Sequence, residues 1–400
     1  MAKTVSTGKI RNILVYAMLF LAAMNFRANF FYFAFGAFLV YILMENRFYI
    51  DNSAFVYLAL GIVMALYNAD EGLLSMIRCF APFCLYLVGL NMITNNKDLR
   101  RVERKGYGLL VAICLGSFTH YVVNYLYNFD SQLGRNTNDI WTGTTMAATG
   151  QVALACLMMG LAVAMLYLPR KNWHRLAAIG AMALILLYNM ILATRTAIVS
   201  LAILLVVGLF YPKKGAPDRR LKQFLAFGGI LGAVIAVFAL DIGGVSGLIG
   251  ESNLLSRMEK MVDGSVISDG LRLQHKLPYL SEMLDHPFGG LHMREKYGYA
   301  HDLLLDGYDE YGVFGFGLLT AVLLMGIRQG WRLLRRTDYS QEYKLALLLV
   351  YMAVLLEFLV EPILSGMAWL FACFSLINGS VAGMNRQWQR LGKPGSDVVL

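Results

Sequence analysis

Long apolar blocks, divided by short polar or charged breaks, run from residue 11 almost to residue 384. Crossing about 30 Å of hydrocarbon takes roughly 17–25 apolar residues in helical form, and the blocks have that length. The pattern predicts twelve membrane-spanning helices, at 11–26, 28–44, 53–69, 72–93, 106–128, 145–168, 175–193, 196–211, 221–240, 312–331, 343–360 and 363–384. The expected fold is an all-α polytopic membrane protein of about twelve transmembrane helices with one large extracytoplasmic loop containing short helices. Residues 1–240 would carry helices 1–9, 241–311 the loop, 312–385 helices 10–12 and 386–400 a cytoplasmic tail.

Inside the loop, "SRMEKM" opens with Ser256 and Glu259 at capping-box spacing, the mark of a helix start. Further on, "LRLQHKLPYLSEMLDHP" sets Leu273, Leu277, Leu280 and Leu284 at helical spacing, with Arg272, Lys276 and Tyr279 on another face. Pro287 should end that helix, and Pro278 is placed to kink it.

Composition agrees with the pattern. The chain is 58% hydrophobic and 15% charged over 400 residues, with a mean hydropathy of +0.55, more apolar side chain than a soluble core can hide. Its five cysteines all fall within apolar runs and read as small buried hydrophobes rather than a disulfide or metal framework. The opening "MAKTVSTGKIRNILVYAMLFLAAMNF" joins a basic end to an apolar run without an A-x-A-like site, so it reads as an uncleaved first span.

The formal charge of +9 could point to nucleic acid, but its distribution points to topology. With the N-terminus cytoplasmic, 25 of the 35 basic residues fall on the cytoplasmic side, as the positive-inside rule expects. Nucleic acid is therefore not an expected partner. The ten that remain include Arg78, Arg195, Arg272, Lys276, Arg294 and Lys296, on or near the outer side.

Arg195 in "NMILATRTAIVSLAILLVVGLF" sits between two apolar runs with hardly a loop. An arginine at membrane depth costs roughly 2.5–3.5 kcal/mol on insertion scales. Two readings are open: it snorkels to the outer interface, or it faces a cavity or ligand. Arg78 in "SMIRCFAPFC" reads as snorkelling. Asp302, Asp306 and Asp309 share a face if 301–310 is helical, which by itself describes a solvated helix start with acids at its positive end. His301, taken alone, is equally well an interfacial structural histidine. The remaining histidines form no H-E-x-x-H pattern, so no metal site is expected.

Three segments in order carry a resemblance. "TRTAIVSLAILLVVGLF" (194–210), "DGLRLQHKLPYLSEMLDHPFGG" (269–290) and "HDLLLDGYDEYGVFGFGLLTAVLL" (301–324) resemble the O-antigen ligase and polymerase family. Its members show S/T-R-x-A at the start of a span, a G-R-like segment before a helix ending in H-P-x-x-G, and H-N-x-x-L running into E-x-G-x-x-G. The chain departs in having "LR", with Gly270 two residues before Arg272, and "HD" for H-N. The resemblance covers roughly 190–325.

It implies a metal-independent glycosyltransferase without cofactor, at the outer face of the bacterial cytoplasmic membrane, acting on undecaprenyl-diphosphate-linked glycans. Arg195 and Arg272 would bind the diphosphate, His301 would act on the acceptor hydroxyl, and Asp302, Asp306 and Glu310 are acceptor-side candidates. Membrane lipids, a flippase and a chain-length regulator are the partners implied. The chemistry is consistent: guanidinium groups meet phosphate oxygens in bidentate geometry as the leaving group gains charge. An imidazole, with an unperturbed pKa of about 6.5, can accept the hydroxyl proton. Polymerase and ligase share this donor chemistry. A lipid-linked oligosaccharide flippase would instead spread its charges through a central cavity, and no internal repeat of the kind many transporters carry is visible.

Overall fold

The computed structural model describes residues 7–45, 47–94, 96, 98–128, 136–168, 171–192, 194–211 and 272–391. The predicted span 221–240, the capping box at Ser256 and the end of the tail lie outside the described residues. Every other predicted span is occupied by helix. These helices are α1 (Thr7–Ala23), α2 (Phe30–Met44), α3 (Asn52–Tyr67), α4 (Leu73–Arg78), α5 (Ala81–Thr94), α6 (Leu99–Tyr127), α7 (Ala148–Tyr167), α8 (Asn172–Ile191) and α9 (Arg195–Phe210). Beyond the loop come α10 (Arg272–Glu282), α11 (His292–Tyr297), α12 (Leu303–Leu334), α13 (Gln341–Phe358), α14 (Ile363–Gly366) and α15 (Ala368–Leu391). Five helical stretches among the described residues are long and apolar enough to cross a membrane, and three shorter helices are also apolar. The chain is an α-helical membrane protein.

The chain divides into two compact units, the first comprising 1–119, 272–344 and 358–400, the second 120–271 and 345–357. In the first, α5 is buried along its whole length against α15. Small residues permit the approach: a Cβ on Gly383 would stand 2.7 Å from the Leu90 carbonyl oxygen. A chain of hydrogen bonds pairs several polar groups in this apolar interior, where an unpaired group is expensive. Asp51 caps α3 through the Ala54 amide (3.0 Å) and accepts from the Tyr86 hydroxyl (2.8 Å). The Tyr86 ring stacks on Tyr57 at 4.6 Å, and the Tyr57 hydroxyl accepts from Asn378 Nδ2 at 2.6 Å. All five cysteines are buried and none is in a disulfide, as their positions in apolar runs suggested.

The second unit packs α7 against α8 and α9. It also holds an element the all-α expectation lacks: an antiparallel hairpin of β1 (Asn136–Asn138) and β2 (Thr145–Ala147). The end of α6 holds it. Asn128 both donates to the Asn138 carbonyl and accepts from its amide, each at 2.8 Å, and Asn124 accepts from the Ile140 amide at 3.0 Å. Asp139 turns the chain between the strands by accepting from the Trp141 and Thr142 amides (2.9 Å each), and it pairs with His120 Nε2 at 2.9 Å.

Candidate functional site

In α10 the 3.6-residue spacing of the sequence is realised, the helix runs through Pro278, and it finishes in a 3₁₀ turn, Met283–Asp285, before Pro287. Its buried side is the one that carries Tyr279, only 1% exposed among Met293, Ala300 and Leu305, with the hydroxyl donating to the Gly298 carbonyl at 2.6 Å. Leu277, Leu280 and Leu284 face outward, Leu284 being 80% exposed. Lys276, on the same face as Tyr279, donates to Asp302 Oδ2 at 2.8 Å and to the Leu359 carbonyl at 3.0 Å.

The acidic run that follows is not a solvated helix start. Asp302 is the N-cap of α12, accepting from the Leu304 amide at 3.0 Å and the Leu305 amide at 3.3 Å. Asp306, 2% exposed, accepts from the amides of Ala300 (2.9 Å) and Asp302 (3.0 Å). Asp309, equally buried, accepts from the amides of Met293 (2.8 Å) and Arg294 (3.0 Å). Irregular backbone that enters a protein interior needs acceptors for its N–H groups, and each carboxylate supplies two. His301 lies between the amides that Asp306 holds, with φ at 55°, a left-handed conformation uncommon for a residue with a Cβ. It is half-buried, its ring 6.2 Å from that of Tyr299.

Two of the segments quoted for the resemblance interlock through their backbones. The Val313 amide donates to the Pro287 carbonyl and the Leu291 amide to the Asp309 carbonyl, both at 2.9 Å. Gly289 (φ 71°) and Gly312 (φ 65°) both adopt positive φ. A Cβ on Gly289 would lie 2.6 Å from the Gly312 nitrogen, and one on Gly312 would lie 2.6 Å from the Pro287 oxygen. The first glycine of "DEYGVFG", Gly312, therefore breaks the helical φ/ψ of α12 because the "HPFGG" turn occupies the space a side chain would need. From α3, the Tyr67 hydroxyl donates to the Phe288 carbonyl at 2.7 Å.

This arrangement leaves a cavity of about 350 Å³ in the first unit, lined by Tyr67, Glu71, Arg78, Arg294, Glu310 and Tyr311 among others. Arg294 Nη2 meets Glu310 Oε2 at 3.0 Å, and its guanidinium lies over the Tyr299 ring at 4.4 Å. Burial would lower the Arg294 pKa, but the charge and hydrogen bond of Glu310 outweigh it and hold the guanidinium more firmly protonated than usual. Arg78 lies over the Phe31 ring at 5.1 Å and makes no hydrogen bond or ion pair among the described residues. Glu71 accepts from the Ser75 hydroxyl at 2.6 Å.

Of the residues singled out from sequence, Glu310 lines the cavity, while His301 and Asp302 lie just before α12 and Asp306 in its first turn. Arg272 opens α10, and Arg195 opens α9 in the second unit; their side chains lie outside the described residues. The turn before Arg195 is built by buried polar pairs. Thr194 donates its amide to the Asn189 carbonyl (2.9 Å) and its hydroxyl to Asn189 Oδ1 (2.6 Å), and Asn189 Nδ2 donates to the Tyr121 hydroxyl at 3.0 Å. Asn189, Glu71 and Arg294 carry no periodic or motif signal, whereas Thr194 is the first residue of the S/T-R-x-A segment. Arg78 was visible in the sequence, but not as part of a cavity. Among the described residues no group of three or more His, Cys, Asp or Glu side chains is placed to hold a metal ion.

No protein-family model matches the chain, and no curated protein matches its sequence. Fold and site together define an α-helical integral membrane protein with a charged cavity roofed by a carboxylate-braced loop.

Proposed function

We propose that the chain is a polysaccharide polymerase of the O-antigen ligase and polymerase type. It would transfer undecaprenyl-diphosphate-linked glycan onto a lipid-linked repeat unit in O-antigen, capsule or exopolysaccharide synthesis. The reading includes twelve spans, both ends cytoplasmic, and residues 241–311 outside a bacterial cytoplasmic membrane. The observation that carries it is the interlock of "HPFGG" with "DEYGVFG". Two segments that resemblance alone had grouped are, in the fold, one piece of backbone, which gives their glycines a physical reason.

In the proposed reaction the acceptor hydroxyl oxygen bonds to the anomeric carbon as the bond to the diphosphate breaks. The diphosphate leaves with the electron pair and the hydroxyl proton passes to His301. Arg195 and Arg272 would bind the diphosphate, and bidentate guanidinium geometry would make Lys a poor replacement at either position. Partners on this reading are membrane lipids, a flippase and a chain-length regulator. A ligase moving glycan to lipid A core or protein would use the same donor site.

Purified protein supplied with synthetic undecaprenyl-diphosphate repeat units should yield polymer. His301→Ala should slow it by about 10²–10⁴ if proton transfer is the residue's whole role, with donor binding unchanged. Arg195→Ala and Arg272→Ala should lose both product and donor binding while still inserting. Wild-type turnover in any of the three removes that residue from the site, and transfer only to a non-repeat acceptor makes the protein a ligase.

A further inference from the structure

We infer that the cavity beneath the "HPFGG" turn is a saccharide subsite, shaped for one uncharged pyranose unit of the glycan and not for the diphosphate. This rests on the glycosyltransferase reading and goes beyond it by naming the ligand class of a cavity whose described lining does not include His301.

Charge is the first argument. Among the described residues the charged lining consists of two arginines and two glutamates, Arg78 and Arg294 against Glu71 and Glu310, and is formally neutral. A diphosphate is bound by uncompensated cations, and two carboxylates in the same wall would repel it. A ring of hydroxyls asks for the reverse arrangement, acceptors and donors side by side, since every hydroxyl both donates and accepts.

The second argument is availability. Arg294 and Glu310 are paired with each other through Nη2 and Oε2 at 3.0 Å. Arg78 is held only over Phe31, and Glu71 accepts a single hydrogen bond from Ser75. One donor fork and one acceptor pair thus face the space with capacity to spare.

Shape is the third. The volume of about 350 Å³ is at the small end of the roughly 300–1,000 Å³ typical of ligand pockets, enough for one saccharide unit and too little for a polyprenyl chain. Tyr67 and Tyr311, edge to face at 5.8 Å, put aromatic rings into the wall against which the C–H face of a pyranose can rest. The Tyr67 hydroxyl is already committed to the Phe288 carbonyl, so its ring is held in place.

The test uses the full-length protein in lipid nanodiscs, observed by saturation-transfer NMR. The probes are the methyl pyranosides of glucose, galactose, rhamnose and N-acetylglucosamine, with inorganic pyrophosphate as the charged comparison. At least one pyranoside should show saturation transfer that pyrophosphate does not displace. Arg78→Gln and Glu71→Gln should each weaken it about tenfold, the size expected for one hydrogen bond to a charged group. Both variants remove side chains with little structural engagement, and helical content by circular dichroism should stay at the wild-type level. No transfer from any pyranoside, displacement by pyrophosphate, or affinity indifferent to both substitutions would overturn the subsite. Polymer formation, measured in parallel, separates the two claims. Variant-sensitive sugar binding in a wild-type protein that makes no polymer overturns the polymerase reading and leaves the subsite standing. Polymer formation with binding indifferent to both substitutions overturns the subsite alone.

Discussion

Replacing Asp309 by Ala should release the turn that carries the "HPFGG" segment. The buried carboxylate accepts from the Met293 and Arg294 amides at 2.8 and 3.0 Å, and it is 2% exposed. Without it two amide donors are left in an interior where Met293 is fully buried. Each unsatisfied buried donor costs about 1–3 kcal/mol, so the local penalty should be about 2–6 kcal/mol. At about 1.4 kcal/mol per tenfold, even the lower figure is roughly a 30-fold change in an opening equilibrium.

Hydrogen exchange of the protein in nanodiscs reads this directly. In Asp309→Ala the Met293 and Arg294 amides should lose at least about 30-fold in protection, by the penalty just given, while amides of α5 and α15 keep theirs. Asp309→Asn retains one acceptor oxygen and should fall between the two. If Asp309→Ala left both amides protected within about threefold of wild type, a change of under 1 kcal/mol, the reasoning would fail. Loss of polymer in that protected variant would then make Asp309 a chemical group and not a fastening.

Other expectations follow from the same structure. Gly312→Ala forces a Cβ into a φ of 65° and to 2.6 Å from the Pro287 oxygen, so thermal unfolding should show a loss of at least about 1–3 kcal/mol; unchanged stability would mean that the turn and α12 are not so closely apposed. For Asp139, burial favours the neutral acid, but the hydrogen bond and charge of His120 and the amides of Thr142 and Trp141 outweigh it and hold the pKa below the usual carboxylate value. A depressed pKa contributes stability above the unfolded value of about 3.9 and loses it as pH falls through the folded one. The stability gap between wild type and Asp139→Asn should accordingly be full near neutral pH and close below about pH 4, and a gap that widens on acidification would contradict the sign. For topology, cysteines introduced at Ser265 and Lys393 should be labelled from outside in intact cells only at Ser265, and the opposite pattern would sink the twelve-span arrangement.

Helix positions were readable because an apolar block of spanning length leaves the backbone few options, and the stop of α10 was readable because Pro287 cannot continue a helix. The face that α10 buries was not. Spacing separates the leucine side from the Tyr279 side, but only the partners Met293 and Ala300, fourteen and twenty-one residues on, decide which is covered. The hairpin at 136–147 was hidden for a similar reason, since its hydrogen bonds run back to Asn124 and Asn128 at the end of α6.

The acidic run is the more instructive failure. Asp302, Asp306 and Asp309 show the i, i+4, i+7 spacing of a helix face, and from sequence that face could be solvated or catalytic. Both readings assume that a carboxylate near a membrane edge looks outward for a partner. In the fold Asp306 and Asp309 look inward, because the amides of Ala300 and Asp302 ahead of α12 and those of Met293 and Arg294 in the first turn of α11 need acceptors. Asp302 spends one oxygen on the helix start and the other on Lys276. That leaves Glu310 as the acceptor-side candidate with an edge on open space, two residues before Gly312 breaks the helical φ/ψ of α12. The spacing of the acids does not set Glu310 apart from the three aspartates; the backbone amides that each aspartate accepts from do.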